Sequence, residues 1–359
     1  MHINVNKPYL PDIKKYHQYL DSIWKNHHLT NFGPLSTLLE EKLCEYLKIP
    51  HILFVTNGTI ALQIAYKLIG LKATDEVITT PFSFVATSST LSWEGLKAKF
   101  CDIDKKTFCI DSKKIASKIN QKTKAILPVH VFGNACEVEE IEKIAKTHQL
   151  KIIYDAAHAF GVNYKEKNIL NYGDISTLSF HATKLFHTIE GGGIVCQDWA
   201  MISQAKEIIN FGLKNSLPYT LGINAKNSEF HAAMGLCILE EMDFILQERQ
   251  RIWDYYYSNL KDHFSFQKQN QNSNNNHHYF PILFENETIL LKTLHALNNQ
   301  NIFPRRYFYP SLDTLPFLKN NECPISRDIA NRILCLPIYI GLDKNTQDKI
   351  IKELKSNLS

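Results

Sequence analysis

No Cys-x-x-Cys pair occurs in this sequence, although it holds eight cysteines. Zinc ribbons and thioredoxin-type redox centres need that spacing, so neither is expected. No apolar run approaches the roughly 18 residues that a membrane span requires. Met1 to Pro8 lacks the apolar core of a secretory signal. Charge of one sign is missing too: 40 basic residues face 36 acidic ones, leaving a formal net charge of +4 and no basic block suited to tracking a phosphate backbone. Nucleic acid and membrane are therefore not expected partners, and the chain reads as a soluble, reduced, cytoplasmic protein.

What is present is ordinary globular composition, 44% hydrophobic and 21% charged, which excludes wholesale disorder. A length of 359 residues, at roughly 150 per domain, predicts two domains. From about residue 50 to 200, short β-like runs alternate with helical stretches. His51 to Val55, Glu76 to Thr79, Ala98 to Cys101, Ala125 to Val129, Lys151 to Tyr154 and Ile175 to Leu178 read as strands. Apolar residues between Ile60 and Ile69, and between Val138 and Ala145, recur at helical spacing. This alternation predicts an α/β fold with a mostly parallel sheet covered on both faces, whose ligands gather at the carboxyl ends of the strands. Gln267 to His278 is almost wholly polar and reads as a loop or mobile connection. Its His277-His278 pair is not expected to bind metal. Beyond it, a strand near Tyr279 to Phe284 and helices at Thr288 to Asn299 and Asp343 to Leu354 predict a smaller α/β domain.

Four polar clusters sit at the predicted strand ends. Thr56-Asn57-Gly58-Thr59 lies between a strand and a helix, where free backbone N–H groups can hold an anion and Gly58 admits a phosphate to the main chain. Asp155 directly follows an apolar strand and suits a cationic ring nitrogen. Lys184 ends the run Ser179-Phe180-His181-Ala182-Thr183-Lys184, ahead of Gly191 to Gly193, which would let backbone pass close to the lysine. The fourth cluster is Gly222 to Glu229. Taken singly, each cluster is also compatible with a helix cap or an ordinary turn. Their order is the stronger signal. A phosphate cup, then Asp155, then Lys184 29 positions later is the layout of a pyridoxal phosphate enzyme of fold type I. There the carboxylate keeps the pyridine nitrogen protonated, and the lysine carries the aldehyde and later moves the proton. A nicotinamide dehydrogenase would need a Gly-x-Gly-x-x-Gly turn after the first strand, and none is there.

The motifs Tyr154 to Gly161 and Ser179 to Gly193, with Asn6 to Pro11 and Leu29 to Pro34, resemble those of the DegT/DnrJ/StrS sugar aminotransferases over nearly the whole chain. The resemblance implies an aspartate aminotransferase-like fold: a large cofactor-binding domain with an N-terminal arm over residues 1–245, and a small C-terminal domain over 246–359. It implies pyridoxal 5'-phosphate as cofactor, carried by Lys184, with Asp155 on the pyridine nitrogen and His158 near the phenolic oxygen. Gly58, Thr59 and Ser179 would hold the phosphate, and Phe84 would stack on the ring. Asn224 would reach the phosphate of a partner subunit, which implies a homodimer with shared active sites. Arg306 and Tyr309 fall in a segment similar to the family's substrate-side loop. Asn227 departs from the family pattern, which has methionine before Ser-Glu. Members of the family with histidine in place of the lysine dehydrate, so Lys184 implies transamination. The expected reaction moves an amino group from L-glutamate, released as 2-oxoglutarate, to a dTDP-linked keto-6-deoxyhexose. Amination at carbon 4, giving the 4-amino-4,6-dideoxyglucose used in O-antigen synthesis, is the leading expectation. Amination at carbon 3 is the alternative, and a cofactor-binding regulator without turnover is the reading from another class.

Overall fold

The computed structural model describes residues 2–318 and 322–358. At its centre is a seven-stranded sheet whose order, from one edge, is Ile52–Val55, Gly192–Val195, Ile175–Ser179, Lys151–Asp155, Thr123–Leu127, Glu76–Thr79 and Lys97–Phe100. Gly192–Val195 runs antiparallel to both its neighbours, and the remaining pairings are parallel. Strand periodicity divides the buried side chains between the two faces. Along Lys151–Asp155, Ile152 and Tyr154 join one apolar cluster and Ile153 the other. Helices Gly58–Leu68, Ala86–Trp93 and Trp199–Ile208 cover one face, and Pro34–Leu47, Val138–His148 and Glu229–Glu240 the other. Both faces are thus dry, as near-continuous apolar strands require.

A second core contains Ile252, Tyr256, Leu260, Phe280, Ile282, Leu290, Leu297, Ile350 and Leu354, together with Ile3 from the start of the chain. Ile3–Asn4 pairs in parallel with Ile302–Phe303, so the N-terminal arm packs with the C-terminal residues. The boundary expected at 245/246 falls inside one continuous helix, Met242–Leu260. Its Met242 and Ile245 pack in the large core, whereas Ile252, Tyr256 and Leu260 pack in the small one. Asp102, at the edge of the large sheet, accepts hydrogen bonds from Ile325 N and Ser326 N at 3.0 and 2.9 Å. It thereby caps the helix Pro324–Arg332, whose Ile329 and Ala330 pack in the large core although the helix lies beyond residue 246.

The polar run Gln267 to His278 forms neither helix nor a named strand, but it is not loose. Asn270, Asn276 and His278 are buried, and their amides and rings satisfy backbone groups of the large domain. Asn270 Nδ2, for instance, donates to Ala135 O at 3.3 Å, and in return Asn134 accepts from Asn270 N at 2.8 Å and donates to Lys268 O at 3.0 Å. Burial here rests on hydrogen bonding rather than apolar surface, which a hydropathy reading does not detect. Seven of the eight cysteines are buried and none forms a disulfide. Among the described residues no helix is long and apolar enough to cross a membrane.

Candidate active site

The turn after Ile52–Val55 enters the helix Gly58–Leu68 through Asn57, whose side-chain oxygen accepts from Ile60 N at 2.9 Å. Asn57 is therefore the N-cap, and the first N–H groups of the helix are left to a ligand or to water. A Cβ on Gly58 would come within 2.9 Å of the Ser179 Cβ, so glycine is needed for the turn to lie against the end of Ile175–Ser179. The glycine run has a different job from the expected one. A Cβ on Gly192 would lie 2.5 Å from the Asn57 carbonyl carbon. The run thus lets an antiparallel strand pass beside the anion turn, not beside the lysine. Asn227 completes this corner by donating to Val55 O at 3.3 Å and Glu190 O at 3.0 Å. A methionine there could not replace either bond.

A cavity of about 590 Å³ opens at the strand ends. Gly58, Thr59 and Ser179 line it at the anion turn, with Asp155, His158, Lys184 and Phe84 also on its wall. Asp155 is buried at the end of its strand. Its carboxylate accepts from Thr87 Oγ1 at 2.7 Å and from Ala157 N at 3.2 Å. Thr87 also bonds Ser83 Oγ at 2.7 Å; since its one proton goes to the carboxylate, Ser83 is the donor of that pair. Burial pushes the Asp155 carboxyl upward, opposed by these bonds and by the nearby Lys184 charge. His158 accepts the Phe132 N–H on Nδ1 at 3.3 Å, which places its proton on Nε2. Burial, then the charge of Lys184, holds this imidazole neutral, well below its ordinary range. Its ring stacks on Phe308 with centroids 5.5 Å apart and planes 4° apart. Phe84 is 53% exposed and has no ring partner among the described residues, so it offers the cavity a bare aromatic face.

Lys184 follows a tight turn in which its own N–H donates to His181 O at 2.8 Å. Burial lowers its amine from the ordinary 10.5 to about 8, with Asp155 pulling the other way. About a tenth of the amine is therefore unprotonated at pH 7, far more than for an ordinary lysine, as a nucleophilic lysine requires. In cofactor-free protein, the rate of pyridoxal phosphate capture should rise with pH and level off above about 8. A stopped-flow absorbance profile that keeps climbing toward 10.5, the ordinary value, would contradict this environment.

Three expected residues lie outside the cavity lining. Asn224 is exposed, with its Oδ1 2.9 Å from Lys226 Nζ. Arg306 turns into the small domain, where it pairs with Glu287 at 2.6 Å and donates to Asn331 O at 3.0 Å. Tyr309 lies over that guanidinium at 3.5 Å. Their neighbours Arg305, Tyr307 and Phe308 line the cavity instead. Sequence reasoning passed over Thr87 and Arg305. The hydroxyls of Ser83 and Thr87, four positions apart where the chain enters the helix Ala86–Trp93, were the readable signal for the first. Nothing in the sequence distinguishes Arg305 from Arg306.

The arrangement fits pyridoxal 5'-phosphate. It offers a glycine turn at a helix start for the phosphate, a buried carboxylate for the ring nitrogen and a Nε2–H donor for the phenolic oxygen. A deprotonatable lysine completes the set. Among the described residues no group of three or more His, Cys, Asp or Glu could hold a metal.

The model of the DegT/DnrJ/EryC1/StrS aminotransferase family matches residues 12–355. The dTDP-4-amino-4,6-dideoxy-D-glucose transaminase of Shigella dysenteriae is 43% identical over 362 residues, covering 98% of each chain. The Escherichia coli protein of the same name is 41% identical over 364 residues, again 98% of each. The structure of DesI, solved in the presence of its TDP-sugar product, matches with a TM-score of 0.93 at 28% identity, over 99% of this chain and 93% of that one.

Proposed function

Because the chain belongs to the DegT/DnrJ/EryC1/StrS aminotransferase family, we propose that it transfers the amino group of L-glutamate to carbon 4 of a dTDP-linked 4-keto-6-deoxyhexose. The product is dTDP-4-amino-4,6-dideoxy-D-glucose, destined for O-antigen or another surface polysaccharide. The observation that carries this reading is the likeness to transaminases of that name along 98% of both chains. A lysine at position 184 faces Asp155 in one cavity, as the chemistry requires.

Pyridoxal 5'-phosphate is the cofactor, and when bound it supplies the electron sink for the carbon that loses its proton. The residues of the chain do the rest. Gly58, Thr59 and Ser179 bind the phosphate, and Phe84 orients the ring from one side. Asp155 keeps a proton on the ring nitrogen, held in line by Thr87. His158 donates from Nε2 to the phenolic oxygen. Lys184 would hold the cofactor through its amine and, once that amine is free, would serve as the base that moves the proton. Arg305, 4.9 Å from the Tyr307 ring and without a carboxylate partner among the described residues, is the cation available to an anionic substrate.

Asn224 reaches a partner's phosphate in a homodimer. In support, Phe211, Leu217, Tyr219 and Leu221 beside it are 56 to 81% exposed, an apolar stretch that a second copy would cover. The cytoplasm, where activated sugars are made, is the proposed location. Product identity tests the reading. With L-glutamate and dTDP-linked 4-keto-6-deoxyglucose, proton NMR should show the amine at carbon 4. Turnover of a 3-keto isomer in preference, with the amine at carbon 3, would overturn it.

A further inference from the structure

The asparagine-rich run that the sequence marks as a loose connection ends against the backbone of His158, Phe160 and Thr183, beside the candidate active site. Asn276 donates through Nδ2 to His158 O at 2.8 Å and to Phe160 O at 3.0 Å. Its Oδ1 accepts from His278 N at 3.2 Å, so the amide is fully used. Gly133, with φ +84°, leaves room for it; a Cβ there would sit 2.7 Å from Asn276 Oδ1. His278 turns the other way, and its Nε2 lies 3.3 Å from the carbonyl oxygen of Thr183, the residue before Lys184. A carbonyl only accepts, so Nε2 carries the proton and Nδ1 is a bare acceptor. That Nδ1 is buried with no hydrogen-bond partner. The same Thr183 oxygen receives Asn6 Nδ2 of the N-terminal arm at 3.4 Å.

The strap is itself held from behind. Arg249, buried on the helix that joins the two cores, donates to His277 O at 3.3 Å and His278 O at 2.8 Å. A guanidinium buried on two carbonyls is costly unless both bonds are kept. We propose that His278 is a positioning residue for Lys184: its Nε2–H, anchored by Asn276 and Arg249, fixes the peptide before the lysine and so the place where the lysine amine meets the cofactor.

The chemistry is consistent. Burial, followed by the charges of Arg249 and Lys184, keeps His278 neutral, well below its ordinary range, so it retains a single proton for the carbonyl and adds no charge beside the lysine. Among the described residues, the ionisable side chains that interact with Lys184 or with this ring are Asp155, His158, Arg249 and Tyr279, whose ring centroid lies 4.2 Å from that of His278. None of these supplies the bond to Thr183 O. An error of about 1 Å in such a placement is worth up to about a hundredfold in rate.

The proposal rests on Lys184 being the cofactor lysine, and its test compares two variants that differ by one methylene. In His278→Gln the amide nitrogen can occupy the place of Nε2, whereas in His278→Asn it falls at the place of Nδ1 and cannot reach Thr183 O. The first readout is the pH midpoint of the visible band of the cofactor-loaded protein; the second is the rate of the glutamate half-reaction. Constraint and burial disfavour the charged form of the lysine nitrogen, so loosening its backbone raises the midpoint. The Asn variant should rise by at least about half a pH unit and slow about tenfold, with KM for glutamate within about twofold. The Gln variant should stay near the parent on both counts. Equal midpoints in the two variants and the parent would overturn the proposal, as would equal shifts in both variants. Should His278→Asn not accumulate folded, Arg249→Lys loosens the same strap and must move the midpoint in the same direction; no movement overturns the proposal. A parent protein without any visible band would overturn the functional reading, and this inference with it.

Discussion

Replacing Lys184 by alanine is expected to lower turnover with L-glutamate and the keto-sugar by at least about 10⁴-fold. Two functions leave with one side chain, the covalent hold on the cofactor and the base that moves the proton. No other amine is placed to replace them: among the cavity-lining residues the remaining cation, Arg305, is a guanidinium that does not deprotonate in proteins. Removing a partly buried amine does not threaten the fold, since burial already disfavours its charge. The thermal midpoint should therefore stay close to the parent's, and borohydride should no longer fix cofactor to the chain. A Lys184→Ala protein that kept even a tenth of parental turnover would remove the lysine from the mechanism.

Asp155→Asn is expected to lower turnover by about 10²- to 10³-fold, the scale of a lost preorganised electrostatic partner. The substitution keeps shape and one acceptor: Oδ1 can still accept from Ala157 N, while the amide nitrogen in place of Oδ2 donates to Thr87 Oγ1, whose proton can turn to Ser83 Oγ. It also removes a buried negative charge, so folding is not the cause of the loss. What disappears is the charge that holds a proton on the ring nitrogen. KM for glutamate should change little, because the carboxylate acts on the cofactor and not on the donor. A loss confined to KM would place Asp155 in substrate binding instead.

The sheet was legible because its strands are short apolar runs divided by polar turns, and the two faces take alternate residues. The chemistry was legible for a related reason. Asp155 ends a strand, and Gly58 and Lys184 follow the ends of strands by three and five residues, so their order in the chain becomes proximity at one sheet edge. Residues that act through another residue were harder to see. Thr87 matters only because its hydroxyl meets Asp155, 68 positions away. Asn276 and His278 matter only because their strap crosses back onto His158 and Thr183. Polar composition alone reads such a segment as loose. That the expected boundary at 245/246 falls within a helix was not legible for another reason: a single helix, Met242–Leu260, serves both cores, and helical periodicity does not change where its neighbours do.

The most direct test follows nitrogen from donor to product. The purified protein, loaded with pyridoxal 5'-phosphate, is given L-glutamate labelled with ¹⁵N at its amino group and dTDP-linked 4-keto-6-deoxyglucose, and the product is read by proton–nitrogen correlation NMR. The expected result is ¹⁵N bonded at carbon 4 of the sugar, with 2-oxoglutarate formed in equal amount. Label at carbon 3, or 2-oxoglutarate formed with no labelled sugar, would contradict the account.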